Sequence, residues 1–243
     1  MKPIMRFYTA KLRSKPELIL SIFFVIIFSF LIIAPFFQMI YTSLTYQDYD
    51  LRLQRDAVEG AFTLFHYVRI FASDLTHALL VKPLLNSLAV GFGVTVLAMI
   101  IGSFFAWIFV RTDIPHKKFF QTVITIPYMI PSWVIALVWQ LFFQNNRIGG
   151  TAGILQSTFG IPIPDWLSYG YVPIVITLAL HYYAYTFLMI SGALRTIDSE
   201  LEEAGSVAGL SRMKILTKIT FPLVLPALGS SFVLTFTRSM GTF

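Results

Sequence analysis

Long apolar runs alternate along this chain with short stretches that hold nearly all of its charge. Leu18 to Ser43, Asn86 to Val110, Phe119 to Phe143, Tyr171 to Gly192 and Leu223 to Phe243 contain no aspartate or glutamate, and their only charged residue is Arg238. Each is long enough for a helix to cross the roughly 30 Å hydrocarbon core of a bilayer. The pattern predicts an all-α polytopic helical bundle with five visible spans. Residues 1–17, 44–85, 111–118, 144–170 and 193–222 become its tail and connections. A cleaved leader would carry an apolar core of about 7–15 residues followed by small residues. The first run instead continues through Ile33-Ala34-Pro35-Phe36-Phe37, which favours an uncleaved span.

Details inside the runs refine this picture. Gly91, Gly93, Gly102, Ser103 and Ala106 place small residues along the second span, where they let helices approach closely. Pro127 and Pro131 interrupt the third, either as a packing kink or as a break lining a path. Leu64, Tyr67, Val68 and Phe71 recur at helical spacing within 44–85, which predicts a short amphipathic helix at the membrane interface or a docking surface. Gly149-Gly150, Gly153, Gly160, Pro162 and Pro164 mark 144–170 as a loop, and Trp166, Tyr169 and Tyr171 suit an interfacial aromatic belt.

The connection from Leu194 to Pro226 has the most internal grammar. Ser199 and Glu202 stand at capping-box spacing, so a short helix is expected to start there. Glu200, Glu202 and Glu203 crowd its first turn, where the helix dipole favours anions. Gly209 should break it, and Ser211 should cap a second short helix carrying Arg212, Lys214 and Lys218. That helix is expected to stop or bend before Pro222. Two short helices meeting at a glycine elbow result.

Charge sets the orientation. Lysine and arginine number twelve over 1–17, 111–118 and 193–222, but five over the other connections. The positive-inside rule therefore puts the N-terminus and the elbow in the cytoplasm. The chain is 56% hydrophobic and 12% charged, with a mean hydropathy of +0.74. Soluble domains carry about 25% charged residues, so a water-soluble fold is excluded. A net charge of +6 distributed in this way serves topology and does not suggest nucleic acid. With no cysteine there is no disulfide, thiolate nucleophile or thiolate metal site.

Glu203-Ala204-Gly205, then Gly209, Ile219 and Phe221-Pro222, resembles the EAA motif of binding-protein-dependent ABC importer permeases with a MetI-like transmembrane domain. Gly205 stands where that pattern has a second alanine, at a helix cost of roughly 1 kcal/mol. Asn86-Ser87-Leu88, Arg111-Thr112-Asp113-Ile114-Pro115 and Ala193-Leu194-Arg195 look like the same family. Phe62-Thr63-Leu64 with Tyr67, and Arg195-Thr196-Ile197-Asp198, are most similar to its iron(III), polyamine and phosphonate branch. Members of the family have a sixth span after the fifth, so the resemblance implies a C-terminally truncated chain or the front of a longer one. It also implies a type I fold and two cytoplasmic ABC ATPase subunits holding ATP and Mg. A second permease subunit or half and an external solute-binding protein complete the implied assembly. On that pattern Glu203, Ala204, Gly205, Val207, Gly209 and Leu210 form the ATPase-coupling segment. Glu203 would pair with a basic group, and Val207 and Leu210 would fill a cleft.

The remaining chemistry is sparse. No Gly-x-x-x-x-Gly-Lys-Ser/Thr loop occurs, so ATP is not bound here in that manner. His66, His77, His116 and His181 have no metal-ligand spacing, and no catalytic residue or cofactor of the chain's own is expected. Ion-coupled carriers usually keep an ionisable group within the membrane, and these spans hold no carboxylate. That counts against the rival reading of a secondary carrier or channel. Arg238 either snorkels outward or lines the path for an anion. His181, beside Tyr182, is either a bonded residue of the bundle or a contact for cargo.

Overall fold

The computed structural model describes residues 16–54, 56–147 and 150–242. The basic tail 1–15, Arg55, Ile148, Gly149 and Phe243 lie outside what it describes, as do the side chains of Pro16, Ile19 and Ser199. The described residues form eleven α-helices, one 3-10 turn and two π-helical turns. Their one β-bridge joins Thr45 to Phe62. Four helices are long and apolar enough to cross a membrane, and five spans result if one bent pair is a single crossing.

Residues up to Lys82 form one compact unit. Helix α1 (Pro16–Ser43) contains Pro35 and is apolar on every side, with no residue of its apolar window buried. A helix that is hydrophobic all round is covered by lipid or by other helices rather than by water. After it, a 3-10 turn (Asp48–Arg52) folds around Asp50, which is 1% exposed. Asp50 Oδ2 accepts the Gln47 amide at 2.9 Å and lies 3.3 Å from His66 Nε2, so burial of this carboxylate is compensated. Helix α2 (Phe65–Phe71) realises the predicted amphipathic helix, with Tyr67, Val68 and Phe71 exposed. Tyr67 also reaches Ser43 at 3.0 Å.

Residues from Pro83 onward form the second unit. Helix α3 (Lys82–Arg111) packs along helix α8 (Tyr171–Thr196) and helix α11 (Phe221–Met240). Val90, Val94 and Ala98 of α3 meet Leu178, Ala179, Tyr182 and Tyr183 of α8. Further along, Ala106 and Phe109 meet Phe187, Ile190, Leu194 and Val224. Among the small residues of α3, Gly102 marks the tightest approach. A β-carbon there would stand 2.6 Å from the Tyr183 carbonyl oxygen and from Thr186 Cβ. Polar side chains bind the same seam, with Ser231 Oγ donating to Thr186 Oγ1 at 2.8 Å and Ser239 Oγ to the Gly91 carbonyl at 3.3 Å.

The third expected span is not one kinked helix. Helix α4 (Lys117–Met129) and helix α5 (Ser132–Phe143) meet at 96°. Pro131 has no amide hydrogen to offer the Pro127 carbonyl, and the residue before a proline avoids the helical region. Ile130 is accordingly extended, at φ −87° and ψ 130°. The loop 144–170 contains two short helices, α6 (Ile154–Phe159) and α7 (Asp165–Ser168). It is tied down by buried Asn145, whose side-chain amide donates to Ile163 O at 3.1 Å and Asp165 Oδ1 at 2.8 Å.

Candidate functional site

The elbow begins where α8 ends. Ile197 and Asp198 are extended, and helix α9 runs Ser199–Val207. Its cap is Asp198, not Ser199, because the Asp198 carboxylate accepts the Glu200 amide at 3.1 Å. The expected partner in the capping box, Glu202, is engaged elsewhere. Its Oε1 lies 3.0 Å from Arg111 Nη2 and accepts from Thr220 Oγ1 at 2.8 Å. Sequence spacing missed this pair, since the two charges stand far apart in the chain. The one sequence signal touching it was Arg111-Thr112-Asp113-Ile114-Pro115 at the close of the second span.

Helix α9 ends in a Schellman motif. The Leu210 amide donates to the Gly205 carbonyl and the Gly209 amide to the Ser206 carbonyl, both at 3.0 Å. Gly209 takes φ +78°, the left-handed region open to glycine at no steric cost. Ser211 holds the cap position of helix α10 (Arg212–Ile215), but its hydroxyl makes no capping bond. Of the expected stop or bend before Pro222, helix α10 does not take the stop. It widens into a π-turn (Leu216–Thr220) and continues as α11. Pro222 has no hydrogen for the Lys218 carbonyl and its ring would crowd it, and a wider turn removes the conflict. A second π-turn, His77–Val81, precedes Pro83 in the same way.

The two faces of α9 differ. Glu203, Ala204 and Val207 face outward, Val207 being 91% exposed, and Glu203 has no ion-pair partner among the described residues. Gly205 is buried, and a β-carbon there would stand 2.9 Å from Ile219 Cδ1 and 3.3 Å from Ile215 Cγ1. Glycine at this position therefore lets α9 lie close on α10 and the π-turn, which answers its helix cost. Leu210 is half-buried and its Cδ1 lies 3.6 Å from the same point, so it closes the elbow instead of projecting with Val207.

Away from the elbow, α8 holds the break between α4 and α5. His181 Nδ1 lies 3.1 Å from the Pro127 carbonyl. A carbonyl can only accept, so the ring carries its hydrogen on Nδ1 and supplies the donor that Pro131 lacks. Tyr183 OH donates to Ile124 O at 2.7 Å, and Tyr185 OH to Tyr128 OH at 2.9 Å. Tyr182 is buried, with its hydroxyl 2.8 Å from Thr242 Oγ1 and 3.4 Å from the Arg238 carbonyl. Arg238 itself is exposed, near the end of α11. His181→Phe removes the donor while keeping the ring volume. It is expected to lower stability in detergent by about 1–3 kcal/mol, the cost of a carbonyl left unpaired. Thermal unfolding of the purified chain checks this, and His181→Phe unfolding at the parent temperature would contradict it.

These elements define a polytopic, all-α membrane protein with a capped helix hung between two apolar helices. A family model described as a binding-protein-dependent transport system inner membrane component matches residues 98–243, and the chain belongs to that family. It is a multi-pass inner-membrane protein. Over 230 residues it is 26% identical to the galactooligosaccharides transport system permease protein GanP of Bacillus subtilis, covering 93% of this chain and 52% of that protein. It is 31% identical to the molybdenum transport system permease protein ModB of Escherichia coli K12, covering 68% of each. A putative ferric transport system permease protein, FbpB 1 of Haemophilus influenzae, is 29% identical over 70% of this chain and 26% of its own length. The chain thus spans about half the length of GanP and about a quarter of FbpB 1. The fold is shared with the crystal structure of a bacterial alginate ABC transporter in complex with an alginate pentasaccharide-bound periplasmic protein. That match has a TM-score of 0.57 and 18% identity, over 93% of this chain and 73% of the other.

Proposed function

We propose that this chain is a permease subunit of an ATP-binding cassette importer, and that residues 193–222 couple it to a separate cytoplasmic ATPase. The observation that carries the reading is α9 itself. It is capped at both ends and fixed from behind, and it offers Glu203 and Val207 outward, with no ion-pair partner for Glu203 among the described residues. A short helix built in this way is a handle. An outward-facing valine beside an exposed glutamate suits contact with a partner of apolar and basic character. Membership of a family of binding-protein-dependent transport components supports the same reading.

In this reading two ATPase subunits hold ATP and Mg and carry out hydrolysis. A second permease subunit or half completes the path, and an external solute-binding protein delivers cargo. The N-terminus and the elbow are cytoplasmic. Movement of α9 opens the path alternately to each side, as two states whose populations nucleotide and cargo bias. Arg238, His181 and Tyr182 are candidate path residues, with Arg238 favouring an anionic cargo.

Purification of the full protein from its native membrane tests the proposal. A nucleotide-binding subunit is expected to come with it. Glu203→Ala should lower ATP-driven uptake into vesicles about tenfold, corresponding to roughly 1.4 kcal/mol of lost interaction, while leaving membrane insertion unchanged. Uptake in energised vesicles that contain no ATPase would instead favour an ion-coupled carrier.

A further inference from the structure

Helix α9 is joined to its neighbours through two breaks in the helical backbone. Extended Ile197 and Asp198 precede it and left-handed Gly209 follows it. Close packing of Gly205 on Ile215 and Ile219 seats its inner face. Glu202 supplies a polar attachment beside that packing. Its Oε1 joins Arg111, the last residue of α3, to Thr220, the last residue of the π-turn that leads into α11. One carboxylate oxygen thus links α9 to two other elements, to the π-turn by a hydrogen bond and to α3 by charge attraction without an aligned hydrogen bond.

Stability alone does not account for this joint. The Arg111 and Glu202 side chains keep only 15% and 21% of their exposure, and Thr220 keeps 1%. Taking charges out of water offsets much of what their attraction returns, and apolar replacements often do as well. What an ion pair adds is a defined geometry that an apolar contact does not impose. Here that geometry fixes the azimuth of α9 relative to the ends of α3 and α11.

We infer that Glu202 and Arg111 are positioning residues that make α9 a rigid extension of α3 and α11. A displacement of the elbow then reaches the spans instead of being lost in rotation about Gly209. This rests on the reading of the elbow as the ATPase handle. Glu202 and Arg111 take no part in the docking face, which belongs to Glu203 and Val207.

The test uses the whole transporter in vesicles, with its ATPase and solute-binding protein, and measures uptake and ATP hydrolysis together. Glu202→Gln keeps an acceptor for Thr220 but removes the charge, and Arg111→Gln removes the partner. Each is expected to retain the bound ATPase and its basal hydrolysis. Cargo moved per ATP should fall about tenfold, within the span seen at positions that transmit coupling. The exchange Arg111→Glu with Glu202→Arg should recover most of that loss, as residues that act as a pair require. Parental cargo per ATP in both single variants would overturn the joint alone. So would equal loss in the exchange variant accompanied by loss of the assembled complex, which marks mere packing. If the unsubstituted chain carries no ATPase, the reading of the handle falls and the joint falls with it.

Discussion

Gly102→Val should prevent the second unit from accumulating in folded form, and Gly102→Ala should lower its unfolding temperature by several degrees. A β-carbon at Gly102 meets Tyr183 O at 2.6 Å and Phe187 N at 2.9 Å as well as Thr186 Cβ. Two of these atoms are backbone, so no side chain can swing aside, and α3 and α8 must separate. Separation loosens both apolar clusters along the seam and the Ser231–Thr186 bond with them. Overpacking a core costs about 1–3 kcal/mol and occasionally more, and a β-branched side chain against backbone belongs at the upper end. Between spans there is little hydrophobic drive to compensate, because lipid is as apolar as the partner helix. Gly93→Ala is the control. Its β-carbon would meet only the Val175 methyls, at 3.3 and 3.4 Å, which can yield. Yield from membranes and thermal unfolding in detergent check both variants. A Gly102→Val chain as stable as Gly93→Ala would refute the seam.

At Gly209 the expected effect is on transport and not on assembly. A β-carbon there finds nothing within 4 Å, so space is not the constraint. The constraint is φ +78°, where a side chain other than glycine costs about 1–2 kcal/mol. Gly209→Val should therefore reduce uptake about tenfold by shifting the elbow out of its closed form, since each 1.4 kcal/mol is a factor of ten. Asparagine tolerates the left-handed region, so Gly209→Asn should stay within about threefold of the parent. Uptake measured across Gly, Asn, Ala and Val at this position should follow that order. A flat series would show that the left-handed turn is irrelevant to coupling.

The spans and the elbow were legible because each rests on a local signal. Long apolar runs with little charge mark α1, α3, α8 and α11, and Gly209 can be read as a helix stop from its chemistry alone. Other features depend on contacts between distant segments. Pro127 and Pro131 announce a break, but its 96° angle accompanies bonds from His181 and Tyr183 of a different helix. Ser199 and Asp198 are both competent caps, and the chain path selects Asp198. Glu202 looks in sequence like a partner for Ser199, and only folding reveals Arg111 and Thr220 as its neighbours. Gly102 resembles Gly91 and Gly93 until α8 is laid against it. Pro222 announces a stop or a bend, and its place in the chain alone does not show that a widened turn carries α10 into α11.

That widened turn has a consequence for the far end of the helix. Each residue of an α-helix advances about 100° around the axis. Ser231, Thr235 and Ser239, all fully buried, therefore owe their inward bearing to how many residues occupy 216–220. A single insertion or deletion near the elbow would turn this hydroxyl stripe away from α3 and α8 without touching it. Length at the foot of this helix and packing along its upper half are therefore constrained together.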